Sequence, residues 1–184
     1  MSQIPEMDAR HAVQTGSSAA PALSALREEI ERALLAECQR FYGKRLVSLV
    51  IYGSVARGTF SLDSDLDLLV VADPLPKGRI PRVREFEQVE AALRPVFARC
   101  KSAGWHIRLS PIFKAPAEVE AGSPLFLDMV EDARILFDRD GLFAARLDRL
   151  RERLYQLGSR RIWKGNTWHW DLKPDWKPGD IIEL

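Results

Sequence analysis

Two aspartates, Asp65 and Asp67, alternate within the run DLDLLVVA at residues 65–72, and ten residues separate Asp65 from a Gly-Ser pair, Gly53 and Ser54. Strand residues two apart share a face and lie roughly 6.5–7 Å apart at Cα, so both carboxylates can ligate one hard cation. Mg²⁺ suits such a pair because it takes carboxylate and triphosphate oxygens together and keeps its other positions for water. Gly53 has no Cβ and lets a ligand approach its backbone, while Ser54 offers a hydroxyl and an N–H at a helix start, where phosphate is favoured. Arg57 is placed to reach a phosphate oxygen, and Gly58 ends the turn. The candidate nucleotide-binding residues are therefore Gly53, Ser54, Arg57 and Ser64, and the candidate catalytic and metal-holding residues are Asp65 and Asp67.

The elements that must hold these groups are legible on either side. LVSLVIY at 46–52 is a continuous β-branched and apolar run of strand length that stops at Gly53, and 65–72 reads as a second strand. Competing motifs fail on spacing. In a calcium loop counted from Asp63, position six would be Leu68 where glycine is needed and position twelve Pro74 where glutamate is needed. Neither a Walker A loop nor G-x-G-x-x-G is present.

Strand, Gly-Ser turn, ten residues and D-x-D followed by apolar residues resemble the signature of the DNA polymerase β-like nucleotidyltransferase superfamily. Within it, the chain is most similar to the minimal nucleotidyltransferases, a group that includes antitoxins partnered with HEPN-domain toxins. The resemblance is strong over 46–72 and weaker through about 137, where SPLFLDMVEDARILFD resembles the end of the family core. It implies an α/β (α+β) nucleotidyltransferase fold, a small mixed sheet flanked by helices with a C-terminal helix and aromatic tail. It also implies an NTP substrate, ATP by family habit, with its triphosphate on Gly53 and Ser54 and Mg²⁺ on Asp65 and Asp67. A nucleoside monophosphate would pass to an acceptor hydroxyl with loss of pyrophosphate, plausibly on a HEPN-type toxin. Two alternatives stay open: a catalytically weakened domain that acts by contact, and transfer to a small molecule of the aminoglycoside type.

In that family a third carboxylate, on the strand after the next helix, helps hold a second metal and takes the proton of the attacking hydroxyl. The corresponding run is WHIRLSPIF at 105–113, whose alternation places His106, Arg108 and Ser110 on one face with no acid on either. Three replacements are conceivable: His106 or another residue as base, Glu118 or Glu120 folding back, or a group brought by the acceptor. For His106 and Arg108 a half-exposed strand face is favoured over a catalytic role.

A chain of 184 residues with 46% hydrophobic and 29% charged residues and a net charge of +1 permits one core and a small appendage. No apolar run reaches the roughly 18–20 residues of a spanning helix, and no signal-peptide pattern opens the chain, so a cytoplasmic location is expected. Cys38 and Cys100 occupy apolar helical positions and, with three scattered histidines, make no zinc spacing.

Residues 1–22 read as a flexible tail, 23–141 as the nucleotidyltransferase domain, and 142–184 as a C-terminal helix with a Trp-rich tail packed on the core. Helical spacing is read from Leu23 to Gly43 and again from Val83 to Phe97, with Pro95 expected to kink or interrupt the second. The last helix carries an apolar leucine stripe surrounded by Arg146, Arg149, Arg151 and Arg153, and the charge continues through Arg160, Arg161 and Lys164. A solvated face paired with Asp148 and Glu152 is favoured over a platform for RNA or an acidic partner. Four of the five tryptophans fall in the last 22 residues, where packing is favoured over base stacking or a partner surface.

Overall fold

The computed structural model describes residues 19–59, 61–165 and 167–184. Most of the expected N-terminal tail lies outside these residues, and the first helix, α1 (Ala19–Tyr42), already begins four residues before the helix read from Leu23. A short 3-10 turn leads into β1 (Leu46–Tyr52), every residue of which is buried. The unbroken apolar run forms a central strand because both of its faces are covered. After the five-residue helix α2 (Gly53–Arg57), β2 (Leu66–Ala72) returns antiparallel to β1, with Tyr52 opposite Asp67.

Helix α3 (Arg79–Ser102) then crosses back to β3 (Leu109–Lys114), which lies parallel to β2. Short helix α4 (Pro116–Glu120) and a 3-10 turn over Pro124–Asp128 lead to β4 (Arg134–Asp138), antiparallel to β1. The sheet order is β3-β2-β1-β4. Helix α5 (Leu142–Gln156) follows, and the hairpin β5 (Arg160–Lys164) and β6 (Thr167–Asp171) forms a separate two-stranded sheet.

Each face of the main sheet closes a core. Leu49, Ile51, Leu66, Leu68 and Val70 pack against α1 and α3 through Leu34, Phe86, Val89 and Leu93. Val50, Tyr52, Leu69 and Val71 pack on the other side against Phe126, Met129, Val130 and the α5 residues Phe143, Leu147 and Leu150. Strand alternation therefore assigns Asp67, in phase with Leu69 and Val71, to the second face.

Two local expectations change, and a third, the solvated arginine face of α5, holds in part. Helix α3 runs through Pro95 without a break. The third strand begins at Leu109, since residues 105–108 are held as a loop: Trp105 N donates to Cys100 O at 2.9 Å and His106 N to Leu62 O at 2.9 Å. The arginines of α5 are largely engaged within the chain: Arg146 is buried under Gly122 and over the Phe126 ring, Arg149 pairs with Glu120, and Arg151 bonds Asp148 and Val130 O. Among the described residues, no helix is long and apolar enough to cross a membrane.

Candidate active site

The end of β1 and the start of β2 meet at Gly53 and Asp67. Gly53 has a φ of +72°, and a Cβ at that position would stand 2.3 Å from Asp67 Oδ2. Both the backbone conformation and the close approach require glycine. Gly58, at a φ of 71°, closes α2 by donating to Ser54 O and Val55 O, and Thr59 N donates to Ser54 O at 3.0 Å. Ser54 and Arg57, both half-buried, thus sit on a turn fixed at its two glycines.

Asp67 lies between β1 and β3. Its neighbour on β3 is Ser110, whose hydroxyl donates to the Asp67 carboxylate. Burial pushes the Asp67 carboxyl above the usual aspartate range, and the charge of Asp65 pushes the same way, while the Ser110 bond and the Arg57 guanidinium pull against it. A carboxylate held away from water beside a second carboxylate needs a cation to be comfortable in its ionised form. The donors are hard oxygens, and the bare Cα of Gly53 leaves the approach to Asp67 open. The pair fits a cation that binds one or two carboxylates and completes its shell with phosphate and water. Among the described residues, no group of three or more metal-ligating side chains is assembled.

Asp65, the expected strand start, lies immediately ahead of β2, which begins one residue later at Leu66. Its Oδ1 accepts from Arg108 Nε at 2.9 Å. Arg108 also borders a cleft of 590 Å³ lined by Asp63, Arg94, Phe97, Lys101 and His106. That cleft lies along α3, whose apolar side packs on the face of the sheet opposite to that of Asp67. His106 is exposed and lines the same cleft as Arg108. Ser64, by contrast, is occupied locally: its hydroxyl accepts from Ser61 N at 2.8 Å and closes the turn ahead of Asp65.

Neither glutamate folds back to the aspartates. Glu118 is bound to Arg82 at 2.8 Å and to the Ala115 N–H at 2.6 Å, and those bonds hold its carboxyl below the usual range against the opposing effect of burial. Glu120 bonds Arg149 at 2.7 Å. The acid that does come close is Asp128, at the end of the 3-10 turn, whose charge acts on both Asp67 and Tyr52. With burial acting first and these charges adding to it, the Tyr52 phenol is pushed up to about 12. Asp128 comes from a different element, 18 residues beyond Ser110, and the sequence offers no periodic signal that would have singled it out.

The hairpin flanks the same turn. Trp170 Nε1 donates to Leu127 O at 3.1 Å. Arg161 bonds Asp132 at 2.5 Å, and its guanidinium lies 4.7 Å and 4.3 Å from the ring centroids of Trp163 and Trp168. Trp168 and Trp170, on one side of β6 as the alternation predicts, meet edge to face at 6.4 Å.

Residues 31–136 match the model of the nucleotidyltransferase domain family. A Methanocaldococcus jannaschii protein that carries the provisional name protein adenylyltransferase is 30% identical over 150 residues, which make up 80% of this chain and 91% of that protein. A solved toxin-antitoxin structure with AMP-PNP aligns at 16% identity and a TM-score of 0.43, covering 70% of this chain and 92% of that one. A Sulfolobus solfataricus protein, provisionally described as a nucleotidyltransferase, aligns at 17% identity and a TM-score of 0.41, covering 70% and 94%.

Proposed function

This chain belongs to the nucleotidyltransferase domain family, and from that premise we propose that it transfers AMP from ATP, with Mg²⁺, to a hydroxyl of a partner protein. The observation that carries the reading is the half-buried Asp67 beside Asp65, facing a glycine that leaves no side chain between carboxylate and ligand. Asp65 and Asp67 would hold the cation; Gly53, Ser54 and Arg57 would hold the triphosphate. When bound, the cation neutralises charge that develops on the phosphate oxygens as pyrophosphate leaves.

The protein's own groups do the rest. The fixed turn orients the triphosphate, and Arg57 adds a cation beside it. Ser110 keeps the Asp67 carboxylate in one rotamer. The choice of a protein acceptor is supported by the name of the M. jannaschii relative, and that of a HEPN-type toxin by the sequence resemblance to antitoxin nucleotidyltransferases.

The test is incubation with ATP labelled at its α-phosphate and a cell extract of the source strain. Label should enter a protein in a Mg²⁺-dependent manner and disappear with Asp65→Ala or Asp67→Ala; label that persists in both variants would sink the assignment. The contact-only alternative draws on the lack of an acid on β3, and it predicts that a chain without both aspartates still protects its partner.

A further inference from the structure

We propose that Asp128 is the third carboxylate of this site and the base that takes the proton of the acceptor hydroxyl. The inference rests on the transfer reading above and names the group which that reading lacked.

Position comes first. Asp67, Leu69 and Val71 share one face of β2 with Tyr52 and Val50 of β1, and the apolar members of that set pack against Phe126, Met129 and Val130. The segment that roofs the Asp67 face is therefore the one that carries Asp128. The roof is fixed on all sides. Met129 N and Val130 N both donate to Phe126 O, Trp170 holds Leu127 O, Arg151 holds Val130 O, and Arg161 holds Asp132. Two bonds within the turn and three from β5, β6 and α5 leave it little freedom, which is what a catalytic group requires of its support.

Availability comes second. Glu118, Glu120, Asp132 and Asp138 are each committed to an ion pair or a backbone cap. Asp128 is half-buried and, among the described residues, makes no hydrogen bond or ion pair. A half-buried carboxylate without a structural partner is costly to keep unless it has a task. Charge agrees with position: Arg57 acts on both Asp67 and Asp128, and Arg161 acts on Asp128 from the hairpin side.

The step balances. The acceptor O–H gives its proton to the Asp128 carboxylate as its oxygen bonds the α-phosphorus. The bond from that phosphorus to the bridging oxygen breaks, and pyrophosphate leaves with the electron pair. Asp128 then returns the proton to water. Ser110 occupies the β3 position beside Asp67, so the base arrives from the roof of the site and not from the sheet.

The experiment pairs calorimetric titration of ATP–Mg²⁺ with transfer of labelled α-phosphate to protein in the source extract, using wild type, Asp128→Asn and Asp128→Gly. The expected result is ATP affinity within threefold of wild type for Asp128→Asn, with transfer slowed on the order of a hundredfold. Added formate should restore part of the transfer in Asp128→Gly, which a structural role would not produce. Transfer by Asp128→Asn within threefold of wild type, or loss of ATP binding together with transfer, overturns the assignment. A wild type that transfers nothing overturns the reading of the site itself, and the binding arm reports that case separately.

Discussion

Gly53 and Asp67 are so close that a single methyl group cannot be placed between them: a Cβ on Gly53 would lie 2.3 Å from Asp67 Oδ2. Gly53→Ala must either move the carboxylate or swing the turn, and the φ of +72° adds a left-handed penalty of roughly 1–2 kcal/mol. A melting temperature lower by about 2–8 °C is expected, with ATP–Mg²⁺ binding weakened at least about tenfold. Calorimetry on the purified variant checks both; a variant that binds ATP normally would show that the close approach has no role.

The Arg108–Asp65 pair holds one of the two candidate ligands in an ion pair. Any cation on Asp65 has to displace or share that guanidinium. Both side chains are substantially exposed, so the pair contributes at most about 1 kcal/mol. Arg108→Gln should leave the melting temperature within about 2 °C and tighten Mn²⁺ binding by up to about fivefold. Paramagnetic titration of free Mn²⁺ distinguishes this from weakened binding, which would mean that Arg108 supports the site instead of competing for it.

Much of this candidate site was legible in the sequence because its parts lie within 15 residues, Gly53 to Asp67, between and at the start of two strands with clear patterns. LVSLVIY is apolar at nearly every position because it is buried on both faces, while Asp67 takes its face from the β2 alternation and Asp65 stands one residue ahead of the strand. Asp128 was not legible. It is brought to Asp67 by the return of the chain across the second face of the sheet, a tertiary event that no local spacing encodes. The reading of 105–108 as strand failed for a related reason: alternation is present there, but Trp105 and His106 spend their N–H groups on Cys100 O and Leu62 O.

Asp67→Asn separates stability from function. The folded-state pKa of Asp67 is raised, so the native protein binds its proton more tightly than the unfolded chain does. Native stability then falls as pH rises through the folded value, and the full cost of the buried charge is present at pH 7. Asparagine keeps an acceptor for Ser110 without the charge. In the absence of divalent cations the variant should melt higher than wild type at pH 7, and the gap should close below about pH 3.9, the ordinary aspartate value. Thermal scans across that range in EDTA check the sign, and a gap that widens on acidification would contradict it.

Asp138 serves as a control outside the site. Its carboxylate accepts from Ser48 Oγ at 2.6 Å, Phe143 N at 3.1 Å and Ala144 N at 2.9 Å, so it ties β1 to the start of α5. Asp138→Ala removes a helix cap and strands a buried hydroxyl, at a combined cost of about 2–4 kcal/mol. In that background Ser48→Ala should cost little further, and a double-mutant cycle by urea unfolding measures the coupling. Additive single effects would show that the two groups do not act together.

Trp170→Phe tests whether the C-terminal hairpin supports chemistry. The substitution keeps an aromatic ring in the partly buried position but removes the Nε1 donor to Leu127 O, the carbonyl immediately before Asp128. Loss of one such bond costs about 1 kcal/mol, and with it a melting shift of about 2–4 °C. A larger effect is expected on the rate. If the turn that carries Asp128 is positioned through Leu127, transfer should fall severalfold while the affinity for ATP, proposed to rest on Gly53 and Ser54, stays as in wild type. Equal losses in transfer and in ATP binding would mean that the hairpin stabilises the domain as a whole and has no particular bearing on Asp128. Full transfer at the lower melting temperature would free the turn from any need of the hairpin, leaving Met129, Val130 and Arg151 to hold it against the sheet.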